Sequence, residues 1–181
     1  MLFKILKKIA GIFGFKLIDK DLIKNDRVLG KYSSFSIDNT LENLFSNKKI
    51  NFLIQIGSND GKRFDIINKF IKKYSPTSIL VEPIKKDFEE LKKNYQDQKD
   101  IIFENSAISI NDSIKYLYKV DDTKYELYDE HIKGISSFEI NHLIKHGVSK
   151  SHIIKEDINS ITISDLIKKY SVKQLDLLMI D

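Results

Sequence analysis

The segment Ile54-Gln55-Ile56-Gly57-Ser58-Asn59-Asp60-Gly61 constrains this chain more than any other, because an apolar strand-like run passes straight into a polar loop bounded by two glycines. A ligand lying across the carboxyl end of a strand needs backbone approach without a Cβ, and glycine permits that at little steric cost. Gly57 and Gly61 fit this requirement. A second apolar run, Ser78-Ile79-Leu80-Val81, ends in Glu82-Pro83 and so places a carboxylate at the tip of the next strand. A carboxylate there can accept both hydroxyls of a ribose. Glycine loop, crossover helix and acidic strand end together point to adenosine recognition. The plainer alternative is a tight strand-to-helix turn beside an ordinary surface glutamate.

The pattern around these landmarks predicts a parallel, doubly wound, Rossmann-like α/β fold. Asn39 is placed to cap a short helix carrying Leu41, Leu44 and Phe45, after which Ile50 to Ile56 reads as strand one. Phe64, Ile67, Phe70, Ile71 and Tyr74 recur at helical spacing, and Pro76 closes that helix before strand two. The next helix, about Ile84 to Tyr95, turns Phe88, Leu91 and Tyr95 inward, and Ile101-Ile102-Phe103 makes strand three. Further on, Ile114, Tyr116 and Tyr118 alternate like a strand with one buried face. Ser136-Ser137-Phe138 is neither clearly helix nor strand, and Ile153 to Ile161 reads as another short strand. Thr162 with Asp165 three residues on resembles a capping box, so a helix through Leu166, Ile167 and Tyr170 follows.

Composition limits the chemistry. With 181 residues, 41% hydrophobic and 31% charged, the chain suits one globular domain with a sizeable core. Zero cysteines exclude disulfides, zinc-thiolate sites, iron–sulfur clusters and a thiol nucleophile, and fit a reducing cytoplasm. A net charge of +4, from lysines scattered among acids, gives no reason to expect a nucleic-acid partner. Residues 1–38 form a basic lead-in in which Leu2, Ile5, Leu6, Ile9, Ile12 and Phe13 share a helical face while Lys4, Lys7 and Lys8 lie off it. Lys7 and Lys8 break the apolar run of a signal peptide, and the segment is too short and charged to span a bilayer. It is either packed on the domain or in weak peripheral contact, through residues 1–18, with an anionic inner membrane face.

The last segment, Asp176-Leu177-Leu178-Met179-Ile180-Asp181, carries the continuous apolar run of a parallel strand covered on both faces. A strand of that kind at an open sheet edge is avoided, so the domain, residues 39–181, is expected to be truncated after its fourth core strand. Taken in order, Ile54 to Gly61, Val81-Glu82-Pro83, Asn105-Ser106-Ala107-Ile108-Ser109 and Asp176 to Asp181 resemble the motifs of a class I S-adenosylmethionine-dependent methyltransferase of the FkbM family. The resemblance covers about Asn39 to the end, and Ser58-Asn59-Asp60 departs from it where many relatives carry small residues around a single Asn.

That resemblance implies S-adenosyl-L-methionine as cofactor and a hydroxyl of a saccharide or secondary metabolite as acceptor. It implies that Gly57 and Gly61 admit the methionine and ribose parts, and that Ser58, Asn59 and Asp60 line or fix the loop. Glu82, followed by Pro83, would take the ribose diol, and Asn105, Ser106 and Ala107 would sit near the adenine. Asp181 is the candidate catalytic residue, orienting the cofactor amine or acting as general base; capping the following turn is its plainer role.

A nicotinamide-dependent oxidoreductase would share the acidic strand end, but Asn59 stands in place of its second glycine and no glycine lies three residues beyond it. A non-catalytic nucleoside-binding fragment or membrane-attached module is the other alternative. Gly61-Lys62-Arg63 lacks the remaining residues of a P-loop. His142 and His146 are four apart, yet two solvated histidines explain them better than a metal site without a third ligand. Tyr116, Tyr118, Tyr125 and Tyr128 suit stacking on a ligand or ordinary packing equally well.

Overall fold

The computed structural model describes residues 36–110, 113 and 115–181. The basic amphipathic segment and Ile114 lie outside the described residues. The chain divides into two compact units, Met1–Asn43 and Leu44–Asp181. In the first, helix α1 (Ile37–Ser46) begins and runs on across the division. Its N-cap is Ser36 rather than Asn39: the Ser36 hydroxyl accepts from the Asn39 N–H at 3.4 Å, and the Ser36 carbonyl accepts from Thr40. Both residues suit a cap, but Ile37 and Asp38 already take helical geometry and extend the helix back by a turn.

The second unit is built on a four-stranded parallel sheet. Strands β1 (Phe52–Ile56), β2 (Thr77–Val81) and β3 (Ile101–Glu104) are linked by helices α2 (Asn68–Tyr74) and α3 (Lys85–Asn94). The short strand β4 (Ala107–Ile108) follows β3, and β5 (Tyr116–Val120) lies beyond it. Helix α4 (Glu130–Lys133), strand β6 (Ser136–Ser137) and helix α5 (Ile140–Lys145) come next. Strands β7 (Ile153–Asp157) and β8 (Ser160–Ile161), helix α6 (Ile163–Lys169) and strand β9 (Leu177–Ile180) complete the chain.

The main sheet has the order β3-β2-β1-β9. The chain winds outward from β1 to β3 and then returns to the other side of β1, so the winding reverses between β1 and β9, where open α/β sheets hold their ligands. Its core is the buried set Ile54, Ile79, Val81 and Leu166 on the α6 face. On the opposite face Leu53, Leu80, Phe70 and Leu91 are buried as well, as a two-sided parallel sheet requires. At the amino end Asp176 ties β9 to β1, its Oδ2 accepting from the Asn51 and Phe52 N–H groups at 2.8 and 3.1 Å. Thr162 caps α6 through Asp165 N–H at 3.1 Å, and the Asp165 carboxylate takes the Thr162 hydroxyl rather than a backbone N–H.

Two departures from the sequence pattern matter. Helix α2 begins at Asn68, so Phe64 is not on it: Phe64 has φ +58° in a long loop from Gly57 to Ile67. The region after β4 folds back as an antiparallel sheet of order β6-β5-β7, while β8 joins β4 in a separate parallel pair. Within β5 the residues most withdrawn from solvent are Leu117, Lys119 and Val120, whereas Tyr116 is exposed. Lys119 tolerates that burial because its ammonium lies 2.9 Å from Glu156 and 3.0 Å from Asp122.

Candidate functional site

The register of the sheet brings three separated sequence landmarks into one row. Ile56 is level with Val81 on one side and Ile180 on the other, so Gly57, Glu82 and Asp181 leave adjacent strands side by side at their carboxyl ends. They border one cavity of about 690 Å³. Gly57 has φ +78°, and a Cβ there would lie 3.2 Å from the Asp181 carbonyl oxygen, so this crowded strand end admits glycine alone without adjustment.

Glu82 is 5% exposed, and both its oxygens face backbone donors. Oε2 accepts from Asn59 N–H and Oε1 from Ile84 N–H, each at 2.8 Å. Burial drives its pKa up to about 7; the two backbone bonds oppose that, and the nearby Asp87 and Glu156 charges add to it. The acidic strand tip therefore fixes the first turn of the glycine loop.

The remainder of that loop is held by Asp60. Its Oδ1 accepts from the Lys62 and Arg63 N–H groups at 2.9 and 2.8 Å, and its Oδ2 accepts from Arg63 Nε at 2.6 Å. Burial raises the Asp60 pKa, but these bonds and the guanidinium more than offset it and leave the carboxyl below its ordinary range. Gly61 faces inward, not toward the cavity: with φ +67°, an added Cβ would lie 2.4 Å from Leu91 Cδ1 and 2.6 Å from Tyr95 Cε2. Its conformational freedom lets the loop pack on α3.

Of the residues singled out from the sequence, Gly57, Asn59, Glu82, Pro83, Ser106, Ala107 and Asp181 border the cavity, whereas Ser58, Asp60, Gly61 and Asn105 stand behind it. Ser58 is buried with its hydroxyl on the Gln55 carbonyl. Asn105 donates through Nδ2 to the carbonyls of Glu82 and Pro83 at 2.8 and 3.1 Å, steadying the turn after β2. The Ser106 hydroxyl is engaged by Glu104, whose other oxygen accepts from Lys169 and Tyr170 at 2.6 Å.

The opposite wall contains residues that local sequence gave no reason to connect with the glycine loop. Arg63, Phe64 and Asp87 border the cavity near the loop. His131, Phe138 and His142 reach it from the α4, β6 and α5 segment. Gly134 brings that segment against the loop, since a Cβ there would lie 3.0 Å from Asn59 Nδ2. The His142 and His146 rings lie 4.7 Å apart, and no group of three or more His, Cys, Asp or Glu suited to a metal occurs among the described residues. None of the four tyrosines considered for stacking borders this cavity. Tyr128 bonds His152 at 2.7 Å, while Tyr116 and Tyr118 pack edge to face under Lys155.

A parallel sheet with a winding reversal, a glycine loop at that reversal and an acidic tip on the neighbouring strand define a Rossmann-like methyltransferase domain. The sequence model of the methyltransferase FkbM domain matches residues 55–181, well over half of the chain, and the chain belongs to that family. No curated protein and no solved structure matches it. No helix among the described residues is long and apolar enough to cross a membrane.

Proposed function

We propose that this chain is an S-adenosylmethionine-dependent O-methyltransferase acting on a hydroxyl of a saccharide or similar metabolite. The observation that carries the reading is the row of Gly57, Glu82 and Asp181 along one cavity at the point where the sheet reverses its winding. The residues present fit the cofactor: Gly57 borders the cavity without a Cβ, and Glu82 offers a buried carboxylate to a ribose diol. The loop also favours a ligand without a pyrophosphate. Helix α2 starts seven residues beyond Gly61, so its amino end does not follow directly on the glycine turn as dinucleotide binding requires.

When bound, S-adenosylmethionine supplies an electrophilic methyl group. Displacement at such a carbon depends on alignment more than on a protein nucleophile, which suits a chain without cysteine. Gly57 and Asn59 would hold the methionine side of the ligand and Glu82 the ribose, with Ser106 and Ala107 along the adenine edge. Asp181 would take the proton of the acceptor hydroxyl as general base. A weak peripheral contact of residues 1–18 with anionic membrane belongs to the same proposal, and co-sedimentation with anionic vesicles tests it.

Calorimetric titration with S-adenosylhomocysteine and, separately, with NAD decides the reading. Binding of the first and not the second is expected. Binding of NAD alone would favour the oxidoreductase alternative, and binding of neither would leave the glycine loop a structural turn.

A further inference from the structure

Phe64 is placed as no packing residue would be. Its φ of +58° lies in the left-handed region that a bulky side chain rarely adopts, and the residue is 69% exposed, so burial does not compensate the strain. The backbone is nonetheless fixed on both sides. Asp60 holds the Lys62 and Arg63 N–H groups before it, and Asp65 Oδ1 accepts from Ile67 N–H at 2.9 Å after it. The result is a preset aromatic ring at the cavity. Phe138, 39% exposed, contributes a second ring from the far wall.

The charges around these rings restrict what can lie against them. Glu82, Asp87 and Asp181 border the cavity, and Arg63 is the only lysine or arginine on its lining among the described residues. That guanidinium is already committed, with Asp60 at 2.6 Å, Asp87 at 3.3 Å and Glu130 at 3.8 Å. An acceptor bearing a carboxylate or phosphate would meet acidic groups without an uncommitted Lys or Arg among the described lining residues to offset them. An uncharged ring meets no such penalty, and its hydroxyls can find Ser136, His131 and His142 on the same lining.

We infer that the acceptor half of this cavity selects an uncharged, hydroxylated ring stacked on Phe64 and discriminates against acidic acceptors. The inference rests on the methyltransferase reading for the word acceptor, but the stacking site and its charge preference are testable without turnover. Saturation-transfer NMR on the full chain, with and without S-adenosylhomocysteine, would compare methyl glucoside with methyl glucuronide. The neutral probe is expected to receive saturation and the acid to receive markedly less. Phe64→Ala should weaken the neutral signal by about threefold to tenfold, the range of a lost aromatic contact, while Phe64→Trp retains it. Affinity of Phe64→Ala for S-adenosylhomocysteine should match the wild type. Equal signals from both probes, a signal from the acid alone, a signal from neither, or an unaffected Phe64→Ala would overturn the inference. Failure of wild-type protein to bind S-adenosylhomocysteine would instead strike the methyltransferase reading and leave the glycoside result standing.

Discussion

The backbone N–H of Asn59 donates to Glu82 Oε2 at 2.8 Å, so the acidic tip of β2 holds the loop that leaves β1. Because burial moves the Glu82 pKa from 4.5 to about 7, its protonation changes near neutral pH. The folded state then binds more protons than the unfolded state between those values, so this group's contribution to stability is fully present below 4.5 and is lost as pH rises through about 7. The contribution is on the order of 3 kcal/mol. Urea unfolding at pH 5 and pH 8 should show a decline that Glu82→Gln, which does not titrate, largely removes.

The same titration acts on ligand binding with opposite sign. An ionised carboxylate is the stronger acceptor for ribose hydroxyls, so affinity for S-adenosylhomocysteine should rise from pH 6 to pH 8. Glu82→Ala should weaken binding by about 1 to 3 kcal/mol, the usual loss when a buried partner is removed. Calorimetry on both proteins across that range checks the slope as well as the offset.

Gly61 and Gly147 share a left-handed backbone but not their surroundings. A Cβ at Gly61 would strike Leu91 and Tyr95, whereas at Gly147 it would meet nothing within 4 Å. Gly61→Ala should therefore cost about 2 to 4 kcal/mol, from strain and overpacking together, and Gly147→Ala only about 1 to 2 kcal/mol from strain. Paired urea titrations separate the two.

The parallel core was legible because each of its steps is local. An apolar run, a glycine turn and a helical repeat determine β1, α2, β2, α3 and β3 within short stretches, and the site row of Gly57, Glu82 and Asp181 follows from their strand ends. The antiparallel sheet was not legible for physical reasons. Strand β6 has two residues, β5 finds its partner β7 across the intervening α4 and α5 segments, and a buried lysine breaks the apolar alternation of β5. Phe64 fits the helical spacing of Ile67, Ile71 and Tyr74, yet its positive φ removes it from α2, a distinction that apolar periodicity does not encode. His131 and His142 reach the cavity only through that same distant pairing.

Lys119 offers a test of this second sheet. It is 4% exposed between Glu156 and Asp122, and Glu156 also accepts from the Lys85 N–H at 3.2 Å, tying β7 to α3. Lys119→Met takes the cation from Glu156 and leaves Asp122 with Lys86 at 3.2 Å; it should cost about 2 kcal/mol, below the range of fully buried pairs because both acids reach solvent. Adding Glu156→Gln removes the stranded charge while keeping an acceptor for Lys85. The double variant should lose less than the sum of the single losses, a coupling that a double-mutant cycle in urea measures directly.

Asp181 is the residue on which the proposed chemistry turns. Its N–H donates to the Ile56 carbonyl at 3.1 Å, so the sheet holds its backbone whatever the side chain becomes. Asp181→Asn thus changes the carboxylate and little else. If the carboxylate is the base, kcat should fall by about 10²- to 10⁴-fold with affinity for S-adenosylhomocysteine within error of wild type. If it only orients the cofactor amine, binding weakens together with rate. Gly57→Ala supplies the positional counterpart, because its Cβ would crowd the Asp181 carbonyl at 3.2 Å while leaving the carboxylate chemically intact. Because Gly57 also borders the place proposed for the methionine part, Gly57→Ala should lose affinity for S-adenosylhomocysteine together with rate, so the two variants distinguish a missing proton acceptor from a disturbed cofactor seat.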